Sequence, residues 1–418
     1  MTRYMHNRHR AVRVNKFEAK SPKESDENLS EDLNFLFKVL LLAGLVFPPL
    51  NSRKQKLKWF AKLFEAIVHL CAIFIIVVNI FFWQRRYSSV TLHFSTTLTI
   101  FLAIAVRFSL CLVRKKIPQM ARNLVLLYDD VTWNKQHKSL KYGMMLSCFL
   151  PLILSVIASI LDVYHIQAER AKEEHSIQFI IKVKGMTNYQ SWVYYMFLFL
   201  VPIKMYYAYG VSVIIFIMCC EVYTIAKRIV VALNEQIENH DNSRFLITSR
   251  TLNGYLNFYN RLNQTIAEID DVLSPCVLLL YGLMVSGQFY TLTVLISQDT
   301  ETVSLPTGFQ NVIVFLLTTV AFLVVTLIAS QVTEVAENVK RSLYKLADSV
   351  VNNDELTVNE KEATNSYLVL IAILNGSQLS FTGWKMFNIN RSFILTTMGV
   401  MISYGVIIVQ IGRKNDSL

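Results

Sequence analysis

The chain has 418 residues, 53% hydrophobic and 17% charged, with 41 Lys and Arg against 30 Asp and Glu for a net charge of +11. A soluble domain carries about 25% charged residues, whereas here the apolar residues gather into runs near the ~20 residues that a bilayer-spanning helix needs. Composition thus excludes a secreted domain, an ordinary soluble enzyme and a disordered chain, and points to one polytopic membrane domain.

Residues 1–32 hold Arg8, Arg10, Arg13 and Lys16 with almost no apolar periodicity, and read as a disordered basic cytoplasmic tail without a signal-peptide core. The run 33–50 carries Lys38 and ends in Pro48-Pro49. A proline pair cannot continue a helix, so this segment is expected to be re-entrant or interfacial. The domain over 51–411 then contains seven spans: Leu63–Trp83, Val90–Val113, Tyr142–Val163, Trp192–Glu221, Leu273–Ser297, Val312–Ser330 and Phe393–Ile411. A short tail, 412–418, closes the chain. The fold class expected is all-α, a seven-helix transmembrane protein.

Basic residues set the orientation. A cytoplasmic N-terminus places 31 Lys and Arg on the cytoplasmic side and 8 on the other. An odd number of spans then puts the C-terminus outside. This is the inverse of the G-protein-coupled receptors, whose D-R-Y and N-P-x-x-Y motifs are also absent.

The segments 222–272 and 331–390 are long and helical in pattern. Ile225, Ile229, Leu233 and Ile237 form a stripe at helical spacing. Such cytoplasmic extensions serve either as a subunit anchor or as a solvated bundle within one subunit; the pattern leaves both open. The six cysteines all fall in or beside apolar runs, which argues against a disulfide framework. Nucleotide-binding, zinc-protease and serine-hydrolase motifs are missing, so neither an enzyme nor a cofactor is expected, and no nucleic-acid partner.

The last span has 19 uncharged residues, roughly 28 Å as a helix. Its seam Thr396, Val400, Ser403, Ile407, Gln410 steps by 4, 3, 4 and 3 and alternates polar with β-branched residues. A hydroxyl or amide facing lipid is expected to lack partners, so the seam lines either a shared aqueous axis, with Ile407 as a constriction that dewets, or a packing contact between helices. Arg107 and Lys204 are charges inside spans, where partners are required. Arg107 can snorkel toward the interface; Lys204, near Pro202, is the stronger functional suspect.

The segment Met386-Phe387-Asn388-Ile389-Asn390-Arg391, followed by Ser403-Tyr404 and then Gln410-Ile411, resembles the C-terminal signature of arthropod gustatory receptors. That signature is a Phe-x-aliphatic-x-Arg turn, then Thr-Tyr, five mostly apolar residues, Gln and Phe. Its family residues here are Phe387, Arg391, Tyr404 and Gln410. Three positions depart: Ser403 replaces Thr, Ile411 replaces Phe, and Lys385 replaces a usual Gly. The family shares a superfamily with insect odorant receptors and their co-receptor, which form the alternative reading within it; from another class the alternative is a polytopic transporter.

The resemblance implies a homo- or heterotetrameric ligand-gated cation channel in the plasma membrane of chemosensory neurons, opened by a small-molecule tastant. The last span would line the pore, with Ile407, Gln410 and Ile411 at the gate and Ser403 and Val400 before it. A helix of roughly 362–382 and the extensions would anchor the subunits. A ligand pocket is implied in the outer half, where His93, Phe94, Ser159, Trp192, Tyr195, Phe199, Gln288 and Phe289 stand; these residues also suit an interfacial belt or core. Arg413 and Lys414 would ring the outer mouth, with Asp416, Asp299 and Glu301 to offset them.

Overall fold

The structure, a computed structural model, describes residues 90–132, 211–241, 249–296, 305–354 and 379–415, with scattered positions at 62–74, 153–160 and 368–376. The N-terminal tail, the segment 33–50, most of spans one and three and the first part of span four, including Ser159, Trp192, Tyr195, Phe199 and Lys204, lie outside the described residues.

Six helices and one small hairpin are described. They are α1 (Val90–Val113), α2 (Ile117–Thr132), α3 (Val211–Asp241), α4 (Ser249–Ile296), α5 (Leu305–Asp354), β1 (Thr382–Gly383), β2 (Phe387–Asn388) and α6 (Arg391–Asn415). Among the described residues, α4 and α5 are long and apolar enough to cross a membrane, and α1 with α2 makes a third crossing if that bent pair is one span. The shorter apolar helix is α6, over Arg391–Ile407.

The 48 residues of α4 and 50 of α5 reach about 70–75 Å at 1.5 Å per residue, more than twice a hydrocarbon core. Each is apolar over one half and amphipathic over the other. α3, α4 and α5 pack along one another, and α4 also carries α1, α2, the hairpin and α6. No break is needed at Pro275, which α4 absorbs.

Residues 114–116 form a turn, after which α2 leaves the α1 axis by 73°. Pro118 sits in the first turn of α2, where its missing N–H costs nothing. Ile117, Met120, Ala121, Leu124, Leu127 and Val131 recur at three- and four-residue steps and are all buried. The polar edge is tied down by Asn123 donating to Glu268 (2.8 Å), Arg261 paired with Asp130 (3.1 Å), and Gln236 donating to the Val131 carbonyl (3.2 Å).

Within the apolar half, small and hydroxyl residues let helices approach. Gly282 of α4 faces Leu102 of α1, and Thr99 meets Ser286 at 3.0 Å. Arg107 does not snorkel: its side chain is buried within the bundle.

The stripe on α3 has a definite occupant. Ile229, Leu233 and Ile237 are buried within this single chain, and Ile225 is partly buried against the same core. Asn234 and Ser342 bridge α3 to α5 at 3.1 Å, and Lys227 donates to Gln331 at 2.7 Å. The stripe therefore serves the fold of the subunit, and polar substitution there disrupts the subunit itself before any assembly. Ile229→Ala is expected to cost about 2–5 kcal/mol, read as a lowered melting temperature in detergent and loss of monodisperse protein. An unchanged melting temperature would show that the stripe is not core.

Candidate functional site

The site assembles where the hairpin hands the chain to α6. Asp270 of α4 accepts two hydrogen bonds from one residue, the Thr382 backbone N–H and hydroxyl, both at 2.7 Å. Burial pushes the Asp270 carboxyl above the usual carboxylate range, and the two Thr382 donors pull it back. The Trp384 N–H donates to the Ser274 carbonyl at 3.2 Å, and Lys385 pairs with Asp271 at 2.6 Å. The hairpin is thus pinned along one turn and a half of α4.

Its geometry explains its residues. Thr382 faces Asn388 and Gly383 faces Phe387. A Cβ on Gly383 would come within 2.3 Å of the far edge of the Phe387 ring, which is itself held in the aromatic cluster, so glycine is required here. Trp384 and Lys385 both take positive φ, 48° and 58°, and the Met386 N–H closes back on the Gly383 carbonyl at 2.9 Å. Two successive left-handed residues make a type I′ pattern, which usually takes Asn-Gly. The glycine usual in the resembling family stands at one of these positions, which is why Lys385 is an uncommon occupant. The segment expected to be helical to 382 instead leaves the helix before Leu379, because Thr382 is drawn into the strand pair.

Beyond the hairpin an aromatic cluster seats α6. Phe387 stacks on Phe393 at 4.5 Å, Tyr281 meets Phe393 edge-on at 5.2 Å, and Phe322 lies 5.7 Å from Phe393. Asn390 caps α6, its side-chain oxygen accepting from the Phe393 N–H at 3.0 Å. Arg391 donates to Glu334 of α5 at 2.6 Å. Further along, Tyr404 packs on Phe289 of α4 at 4.4 Å and its hydroxyl lies 3.4 Å from Thr293. Three motif residues, Phe387, Arg391 and Tyr404, are therefore contacts between α6 and its own subunit.

Those contacts occupy a narrow stripe: Phe393, Ile394, Thr397, Met401 and Tyr404. Apart from the half-buried Gly405, the other described side-chain positions of α6 are exposed. Val400 is 54% and Ile407 51% exposed, and Ser403 and Gln410 are exposed on the same side. Ile411 lies in α6, with its side chain outside the described residues. The expectation that the hydroxyls lack partners does not hold: Thr396 donates to the Ser392 carbonyl at 3.1 Å and Ser403 to the Gly399 carbonyl at 2.9 Å. Each proton is used within the helix, leaving only oxygen lone pairs outward.

The residues expected in a pocket do not all gather. His93 lies in the first turn of α1, its side chain outside the described residues, and Phe94 is 59% exposed on the surface of α1. Phe289 packs on Tyr404. Gln288 is buried, and its Nε2 donates to the Thr319 hydroxyl oxygen at 3.0 Å. That hydroxyl gives its own proton to the Phe315 carbonyl at 2.8 Å, so the atom facing it must be the Gln288 amine. The Gln288 carbonyl oxygen is left buried with no partner among the described residues. Sequence reasoning missed Asp270, Thr382 and Glu334; only Asn390, a capping type just before a helical run, carried a local signal.

The comparisons with known proteins now bear on this arrangement. A family model described as 7tm Chemosensory receptor matches residues 33–415. The insect olfactory receptor OR5 from Machilis hrabei, solved in complex with eugenol, superposes with a TM-score of 0.67 at 14% identity, covering 92% of this chain and 98% of that one. A second structure of that receptor gives 0.58 at the same identity and coverage. No curated protein matches the sequence. With a family model spanning nearly its whole length, the chain belongs to the 7tm chemosensory receptor family.

Proposed function

We propose that this chain is one subunit of a ligand-gated cation channel, a gustatory-type chemosensory receptor of the plasma membrane, with seven spans, a cytoplasmic N-terminus and an extracellular C-terminus. Four copies, of this chain or with related receptors, bring α6 to a common axis. The observation that carries the reading is the one-sided seating of α6: its own subunit holds a narrow stripe and leaves Val400, Ser403, Ile407 and Gln410 open. A merely intramolecular packing seam would bury those residues. The Tyr404-to-Gln410 spacing favours the gustatory branch, and the fold likeness to OR5 supports an odorant receptor as the second reading.

In this mechanism the isoleucine ring at 407 narrows and dries the closed pore, which blocks ions that cannot shed water there. Ser403 and Thr396 present acceptor oxygens only, which suits cations. Gln410 adds amide oxygens when α6 rotates. The ligand is a small molecule, as eugenol is for OR5. It binds in the outer half, where Trp192, Tyr195 and Phe199 supply aromatic walls and the Gln288 carbonyl, without a partner among the described residues, an acceptor. Phe289, next in chain, touches Tyr404 and so links that region to α6. The extensions 222–272 and 331–390 form the anchor between subunits.

Expression in a non-arthropod cell with patch-clamp recording tests the gate. Ile407→Ser is expected to pass current without ligand. Gln410→Ala and Gln410→Glu are expected to shift reversal potentials in mixed cations while the ligand concentration dependence stays within about threefold. Changes at Trp192 or Tyr195 should do the reverse. Reversal potentials that stay fixed in both Gln410 variants would remove α6 from the pore.

Orientation has its own test. An epitope at Asp416 should be labelled on intact cells, and one at Glu18 only after permeabilisation. Labelling of Glu18 on intact cells would overturn the orientation.

A further inference from the structure

A glutamine inside an apolar helix seam needs partners for both ends of its amide. Gln288 of α4 is 1% exposed, and one end is served: its Nε2 donates to Thr319 of α5 at 3.0 Å. Its carbonyl oxygen is buried with no partner among the described residues. Native structures keep few such atoms, because a buried acceptor without a donor is costly.

The neighbouring hydroxyls do not supply the missing donor. Thr291 gives its proton to the Gly287 and Gln288 backbone carbonyls at 3.1 and 3.0 Å, and Thr293 to the Phe289 carbonyl at 2.7 Å. Across the seam, Thr318 gives its proton to the Val314 and Phe315 carbonyls at 2.8 and 3.0 Å, and Thr319 to the Phe315 carbonyl at 2.8 Å. What these four residues leave free is lone pairs. Turning the Gln288 amide over would set its carbonyl against the Thr319 oxygen and lose the bond it has. The seam also has slack beside the amide. Among the described residues, a Cβ added to Gly287 would meet only Thr318 Cγ2, at 3.8 Å, an ordinary contact.

We infer that Gln288 selects the small molecule that opens the channel, and that this molecule is a neutral hydrogen-bond donor, an alcohol or phenol in its simplest form, whose hydroxyl proton goes to the Gln288 carbonyl. The inference rests on the ligand-gated reading above and names the chemical class. An anion would meet lone pairs only. An ammonium could donate, but the runs Leu273–Ser297 and Val312–Ser330 hold no charged residue to balance it. An ether or ketone of the same shape brings one more acceptor and leaves the carbonyl as it was. Position suits a trigger. Phe289, the next residue, packs on Tyr404 at 4.4 Å, so a shift of this turn of α4 reaches α6.

The test is patch-clamp recording of the full-length protein in a non-arthropod cell with three matched pairs of probes: phenol with anisole, benzyl alcohol with its methyl ether, and cyclohexanol with its methyl ether. In each pair only the first member donates. Expected is activation by at least one hydroxyl probe at a concentration about tenfold below that of its ether, a preference that falls to within about threefold in Gln288→Met. Methionine keeps the length of the side chain, and Thr319 keeps its bond to Phe315, so no buried donor is stranded. The melting temperature of unliganded Gln288→Met is therefore expected to hold or rise. A lowered melting temperature would show that the carbonyl already has a partner within the subunit, and would overturn the site. So would ethers as potent as their alcohols, a preference that survives in Gln288→Met, or a panel that evokes no current while Ile407→Ser conducts; each of these leaves the channel reading standing. A silent panel together with a silent Ile407→Ser would overturn both.

Discussion

The position of the last helix depends on a single carboxylate. Asp270 takes two short hydrogen bonds from Thr382, and the other polar ties among the described residues between the hairpin and α4 are a backbone bond to Ser274 and an exposed ion pair. Exposed ion pairs contribute little. A buried carboxylate with two donors contributes more, because releasing it would leave a desolvated charge without partners. The clamp sets where β1 lies, β1 sets Phe387 through Gly383, and Phe387 sets Phe393 at the head of α6.

From there the contacts become aromatic and then sparse. Tyr281, Phe322, Phe387 and Phe393 form one cluster shared by α4, α5, the hairpin and α6. Tyr404 continues the seam to Phe289. The helix is thus gripped firmly at its start and lightly along its length, a distribution that suits an element able to turn about its own axis while its base stays put.

The long helices were legible in the sequence because apolar runs and helical periodicity are local signals. The run Leu273–Ser297 falls within α4 up to its last residue, the run Val312–Ser330 falls within α5, and the seam on α6 lies on one open face. What the sequence concealed were long-range pairings. Nothing near Asp270 marks it as the partner of a residue 112 positions later. The hairpin was hidden for a different reason: its turn carries Trp384-Lys385 where local rules ask for Asn-Gly. The α3 stripe showed that some surface is apolar, and periodicity alone does not say whether a fold or a neighbour covers it. The hydroxyls of Thr396 and Ser403 misled because a side chain four residues from a carbonyl can satisfy itself.

The open face of α6 separates two demands that usually conflict. In most proteins the residues that perform the work also help hold the fold, so altering one endangers the other. Under the proposed pore role, Val400, Ser403, Ile407 and Gln410 would do that work while touching little of their own subunit, and changes at such positions shift stability by only about 0.5 kcal/mol. A lineage could therefore retune this face freely by drift, while Asp270, Gly383 and the aromatic cluster stay under the constraint of folding.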